Sequence, residues 1–148
     1  MDILIFILVH GRWTVHGLWP STNNGPKGPF NCNKTPFNPS ALEPIRSELD
    51  AKWTNVHKNS PKNDFWQHEW SKHGTCAMQL ESLDTEFKYF SKGLELNEEF
   101  DIGTMLSAAG IVPGEGYTGS QVLEQLTSAL GNRPGKPIYN LNYLEFCI

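Results

Sequence analysis

Strand-like segments in this 148-residue chain lie at its two ends, with helical segments between them. Ile3 to Val9 is an unbroken apolar run, Trp13 to Leu18 follows almost at once, and Asn142 to Ile148 closes the sequence after a weaker stretch near Ile138. Segments so far apart can be paired only if the middle of the chain folds back between them. The pattern therefore predicts an α+β domain over residues 1–148, with an antiparallel sheet built from distant segments and packed with several α-helices.

The Ile3–Val9 run has a second reading, as the core of a signal peptide. It is at the short limit for one, Asp2 stands where a basic leader would be, and no A-x-A-like cleavage site follows, so a buried strand is expected. The run is far too short to span a bilayer, and no other segment could cross a membrane.

Between the ends, Pro20 to Pro39 is a long stretch of turn residues and predicts an irregular surface loop. Ser40 with Glu43 offers a capping box, after which Leu42, Ile45, Leu49, Trp53 and Val56 keep helical spacing. A second helix is expected from Asp64, with Gln67 three residues on, to about Gly74. Leu83, Phe87, Phe90 and Leu94 mark a third. Ile102 to Ala109, stopped by Gly110, mark a fourth, and Val122 to Leu130, stopped by Gly131, a fifth.

Twelve basic against sixteen acidic residues give a net charge of −4, so no global basic field draws the chain to nucleic acid. An enzyme that holds one phosphate locally remains compatible with that charge. Three cysteines, Cys32, Cys76 and Cys147, form no CxxC pair, which weakens zinc-ribbon and redox readings. One bridge plus an orphan is the plainest arrangement. Asn33-Lys34-Thr35 is an N-x-[ST] sequon; beside a possible disulfide it makes Asn33 a candidate glycosylation site in a secreted or lumenal protein.

The chemistry concentrates in "FWQHEWSKHGTC", Phe65 to Cys76. On a helix, Trp66 and Trp70 share one side and would be buried there. Glu69 and His73 are i,i+4 neighbours, as are His68 and Lys72, and the four polar groups span an arc of about 140°. Buried tryptophans would hold that arc steady, as a preorganised site requires. A zinc site fails on spacing. A zincin helix needs H-E-x-x-H, whereas here the run is H-E-W-S-K-H with Lys72 in the ligand position, so no metal is expected. The plainer alternative is a solvated helix face, which is also the ordinary reading for His10 and His57.

A second stretch, "WTVHGLWP" from Trp13 to Pro20, changes that balance. His16 sits in a strand pattern among apolar neighbours, where an imidazole needs a partner or a task. Two histidines on different elements, with a lysine and a carboxylate, suit acid–base phosphodiester chemistry: one imidazole takes a proton from the nucleophile and the other protonates the leaving group. Ammonium and carboxyl groups then meet the charge on the phosphorane oxygens. RNA carries its own nucleophile, the 2′-OH.

Both stretches, in this order, closely resemble the two active-site signatures of the ribonuclease T2 family, and the similarity runs from about Trp13 to the end, including "YFSKGLEL" and "YLEFC". The resemblance implies a ribonuclease T2-like α+β fold and a secreted or lysosomal endoribonuclease. Carried over by position, His16 would be the general acid and His73 the general base. Glu69 and Lys72 would stabilise the phosphorane, His68 would help hold the phosphate, and Trp19 would contribute to base binding. A nearby position that is acidic in some relatives is Ser21 here, which leaves base preference open. The implied products are a 2′,3′-cyclic phosphate and then a 3′-phosphate. The implied partner is single-stranded RNA, with no DNA, no membrane, no cofactor and a monomeric state. The resemblance also implies a Cys32–Cys76 bridge and a Cys147 partner beyond Ile148. Family members have a longer cysteine-bearing segment before the first signature and continue past this chain's end, so an incomplete domain is expected. A catalytically inactive RNA-binding or storage protein that kept the fold is the competing class; cleavage of RNA separates the two.

Overall fold

The computed structural model describes residues 2–9, 11–21, 28–56, 59–113, 115–131, 136–140 and 143–147, with side chains described for Phe6 and, within those ranges, for positions 11 to 131. His10 and His57, read above as ordinary histidines, lie outside the described residues.

Four strands, β1 (Asp2–Val9), β2 (Arg12–Pro20), β3 (Lys136–Asn140) and β4 (Tyr143–Cys147), form one antiparallel sheet in the order β2-β1-β4-β3. The apolar run at the start is thus an inner strand, paired on both sides, as its continuous hydrophobicity suits. Its pairing with β4 joins the two ends of the described chain: Ile3 faces Cys147 and Phe6 faces Leu144. The β1–β2 ladder contains one irregularity. Ile5 faces Gly17 and Phe6 faces Val15, which leaves His16 as an extra residue in β2. Such a bulge re-aims a side chain, and bulges are over-represented beside active sites.

The first helical segment differs from expectation. Pro39–Ile45 is a 3-10 helix capped by Asn38, whose side chain accepts from the Ser40 N–H, and α1 (Arg46–Lys52) follows it. Ser40 is therefore inside the element and not its cap. Pro39 suits the first helical position, while Pro44 has no N–H to give and its ring crowds the turn before it, so the segment tightens before the α-helix begins. Helix α2 (Lys62–Glu69) opens two residues ahead of Asp64, which instead sits in the first turn, where a carboxylate complements the helix dipole. It continues as a π-helical turn, Trp70–Gly74, and then α3 (Thr75–Ala77).

Helix α4 (Glu86–Glu99) starts after Leu83, which packs into the core from the preceding turn. Helix α5 (Ile102–Ala108) matches its predicted span, α6 (Gly119–Leu130) opens three residues ahead of Val122, and Gly110 and Gly131 follow them at φ +78° and +55°. No helix among the described residues is long and apolar enough to cross a membrane.

The core lies between the sheet and the helices. Trp53, Trp66, Trp70, Phe65, Tyr89, Phe90 and Phe100 are buried together with Val15 and Leu18 of β2. Three of these aromatic side chains also direct their polar atoms at backbone carbonyls. Trp53 Nε1 donates to the His16 carbonyl (2.9 Å), Tyr89 Oη to the Leu18 carbonyl (2.7 Å) and Trp66 Nε1 to the Trp53 carbonyl (2.8 Å). The first two satisfy groups on β2, the outer strand that carries His16, and so fix its depth against the helices.

Candidate active site

The π-helical turn brings the second signature against the first. It lies at the end of α2, where Trp66 and Trp70 are buried on the core side as their spacing predicts. π-Helical turns inside α-helices are frequently found at functional sites. The turn's outer side is tied to the loop after β2. Asn31, at φ +53°, donates its N–H to the Lys72 carbonyl (2.9 Å), and Cys32 is disulfide-bonded to Cys76 across 44 positions. The bridge implied by resemblance is therefore present.

These constraints bring His16, Trp19, Glu69, Lys72 and His73 together. Trp19 Nε1 donates to Glu69 Oε2 at 3.0 Å, and His16 Nε2 stands 3.7 Å from Glu69 Oε1. The Trp19 indole lies parallel to the His73 imidazole, with ring centroids 4.6 Å apart and planes 11° apart. His16 contacts the Trp19 and Phe65 rings, both at 5.6 Å. Gly17 permits this closeness, because a Cβ there would stand 2.2 Å from Glu69 Oε2 and 2.3 Å from Trp19 Nε1.

The polar arc expected on the helix face divides. Glu69 and His73 are each 1% exposed, because β2 and Trp19 close over them, while His68 stays on the exposed side. There Asp64, Gln67, His68 and Ser71 line a hollow of about 440 Å³. His68 reaches the buried group electrostatically: its charge helps lower the His73 pKa, after burial and Lys72.

Burial sets the protonation states. It raises the Glu69 carboxyl from 4.5 to about 7, with the Trp19 hydrogen bond and the Lys72 charge opposing it. It lowers His73 from 6.5 to about 3, helped by the positive charges of Lys72, His68 and His16. Over a wide acidic range the site thus holds a neutral imidazole able to accept a proton and a protonated carboxyl able to donate a hydrogen bond. At 3.7 Å the His16–Glu69 contact is too long for a hydrogen bond, and it becomes an ion pair only once Glu69 ionises.

Phe30 was not singled out in the sequence. It lies edge-on to His73 (5.4 Å), its ring is 5.6 Å from Lys72 Nζ, and it is 47% exposed. A lone aromatic in a turn-rich loop carries no signal of its own; the nearby Cys32 was the available clue. Asn33 is exposed beside the disulfide. Its Nδ2 donates to the Thr75 carbonyl (3.3 Å), and its Oδ1 accepts from the Thr35 N–H (2.9 Å). Among the described residues, no three His, Cys, Asp or Glu side chains are grouped so as to hold a metal ion.

A strand histidine set beside a histidine, glutamate and lysine on a helix, within an α+β fold, is the arrangement that the two sequence signatures imply. The chain belongs to the Ribonuclease T2 family, whose sequence profile matches residues 8–137. It is 41% identical over 148 aligned residues to ribonuclease T2 of Danio rerio, covering 92% of this chain and 58% of that protein. With ribonuclease Oy of Magallana gigas it shares 44% identity over 104 residues, 70% of this chain and 49% of that protein. The crystal structure of human RNase T2 superposes with a TM-score of 0.80 at 28% identity, covering 98% of this chain and 82% of that one. The chain thus spans about half the length of these two curated relatives.

Proposed function

We propose that the chain is a metal-independent endoribonuclease that cleaves single-stranded RNA by two-histidine acid–base catalysis. The observation that carries this reading is that His16 from β2 stands 3.7 Å from the buried Glu69 carboxyl while His73 from the helical turn stacks on Trp19, the residue that donates to the same carboxyl. His73 takes the 2′-OH proton as O2′ bonds to phosphorus. The P–O5′ bond breaks, and His16 gives its proton to the departing O5′. Glu69 and Lys72 stabilise the charge on the phosphorane oxygens, and His68 holds the phosphate from the exposed side. The 2′,3′-cyclic phosphate is then opened by water to a 3′-phosphate, with the proton transfers reversed.

Single strands are the favoured substrate because their unstacked bases can reach an aromatic-lined site beside Trp19 and Phe30. The Cys32–Cys76 bridge and the sequon at Asn33 support a secreted or lysosomal location, where disulfides persist. Retention of both histidines favours an enzyme over an inactive binding protein with the same fold. His16→Ala and His73→Ala are each expected to lower kcat for a short RNA by about 10²–10⁴-fold, the usual worth of a general acid or base. Unchanged turnover in either variant would remove that residue from its role.

A further inference from the structure

Two of the groups assigned to the chemistry, Glu69 and His73, are sealed in the folded chain. Glu69 and His73 are each 1% exposed, yet a general base must come within about 2.6–3.2 Å of the proton it takes. Trp19 is the cover: it is itself only half-buried, stacks face-on over His73, and donates to Glu69. Beneath it, neither ring nitrogen of His73 has a hydrogen-bond partner among the described residues. Buried polar atoms left in that state are rare and destabilising, so the covered arrangement holds its own penalty.

Gly17 supplies a second, independent observation. The covered position exists because residue 17 has no side chain, since a Cβ would collide with the Trp19 and Glu69 atoms that make the cover. The colliding atoms are the Glu69 carboxylate oxygen and the Trp19 indole edge, so a side chain at position 17 must push the cover aside.

We propose that Trp19 is a gating residue: in the free protein it lies over His73 and holds Glu69, and RNA gains the site by displacing the indole, which exchanges the imidazole for a nucleobase as its stacking partner. The exchange is favoured because aromatic side chains stack on any base, so one π contact replaces another. Displacement also relieves the burial that holds His73 near 3 and brings the phosphate anion beside it, and both changes strengthen the base as substrate arrives. The identity of what displaces the gate rests on the ribonuclease reading; the movement of Trp19 does not.

The test is histidine carbethoxylation by diethyl pyrocarbonate on the full chain near pH 6.5, read peptide by peptide, with exposed His68 as internal reference. In the wild type, His73 is expected to react at least about tenfold more slowly than His68, the mark of a group reached only through local opening. Trp19→Ala and Gly17→Ala should each raise His73 labelling about tenfold or more. Either result in a variant that keeps a cooperative thermal transition supports the gate. His73 reacting as fast as His68 in the wild type would overturn it, a reading that needs no variant. Unchanged His73 labelling in the folded variants would overturn it as well. Labelling requires no turnover, so a protein that shows the gate but leaves RNA uncut would refute the ribonuclease reading and leave the gate standing.

Discussion

Glu69 and His73 are moved in opposite directions by the same cause, burial under β2 and Trp19, and that fixes how stability should follow pH. Glu69, raised from 4.5 to about 7, contributes stability that is complete below 4.5 and lost as pH rises to about 7. His73, lowered from 6.5 to about 3, contributes stability that is complete above 6.5 and lost as pH falls to about 3. Between 4.5 and 6.5 the two slopes cancel, because the folded pair is neutral and the unfolded pair carries one charge of each sign. Glu69→Gln removes one slope. The Tm of the variant relative to wild type should therefore climb from pH 4.5 to about 7 and level off above it; a constant difference would contradict the assigned protonation. The same groups predict a bell-shaped kcat/KM profile with its maximum below neutrality, rising as His73 loses its proton and falling as Glu69 ionises near 7. A flat profile from about pH 4 to 8 would count against titrating groups of this kind. The identities of these residues were legible in two short stretches of sequence. Their burial was not, because the contact that covers them joins Trp19 to residues fifty positions away, and local helical spacing carries no trace of it. Phe30 was hidden for the same reason.

At the scale of elements, the site depends on β2 being held at one depth. Its bulge at His16 and two donors, Trp53 just after α1 and Tyr89 of α4, set that depth. Tyr89→Phe keeps the ring and deletes the hydroxyl that the Leu18 carbonyl accepts from. Leaving that carbonyl unpaired should cost about 1–3 kcal/mol, seen as a lower denaturation midpoint. Because Leu18 adjoins Trp19 and lies two residues from His16, kcat should fall several-fold more than KM rises. A variant with wild-type stability would show that this bond does not hold the strand. Helix α5, with its apolar periodicity, was legible almost to the residue, whereas α6 was legible at its Gly131 stop but not at its start. The misread starts were those where proline or an unremarked cap decided the geometry: Asn38 with Pro39 and Pro44, and Pro61 ahead of α2. The Thr118–Gln121 capping box, and not the first apolar residue, sets the start of α6. The π-helical turn had no local signature; it brings His73 beneath Trp19, a contact between distant elements.

Over the whole molecule, strands from the two ends pair in one sheet, and a disulfide ties the loop after β2 to the helix end that carries His73. Closing a loop of 44 positions contributes about 4 kcal/mol in the chain-entropy account. Replacing Cys32 and Cys76 together by alanine should lower stability by about that amount. It should also lower activity further, because Phe30 and the Asn31–Lys72 bond lose their tether. Full activity at unchanged stability would place the bridge outside the site. The α+β class and the pairing of distant strands were legible because a chain with strands at its ends and helices between has few other ways to close. The bridge was legible only through family resemblance, since three cysteines alone leave its partners open. Two-histidine cleavage without metal requires RNA's own 2′-OH. The most direct measurement is an assay of a short RNA and its 2′-deoxy counterpart at about pH 5 in EDTA, with product analysis, since the 2′-OH is the required nucleophile. Cleavage of the RNA alone, through a 2′,3′-cyclic phosphate, is the predicted result. Cleavage of both strands, or of neither by a protein shown to be folded, would contradict it.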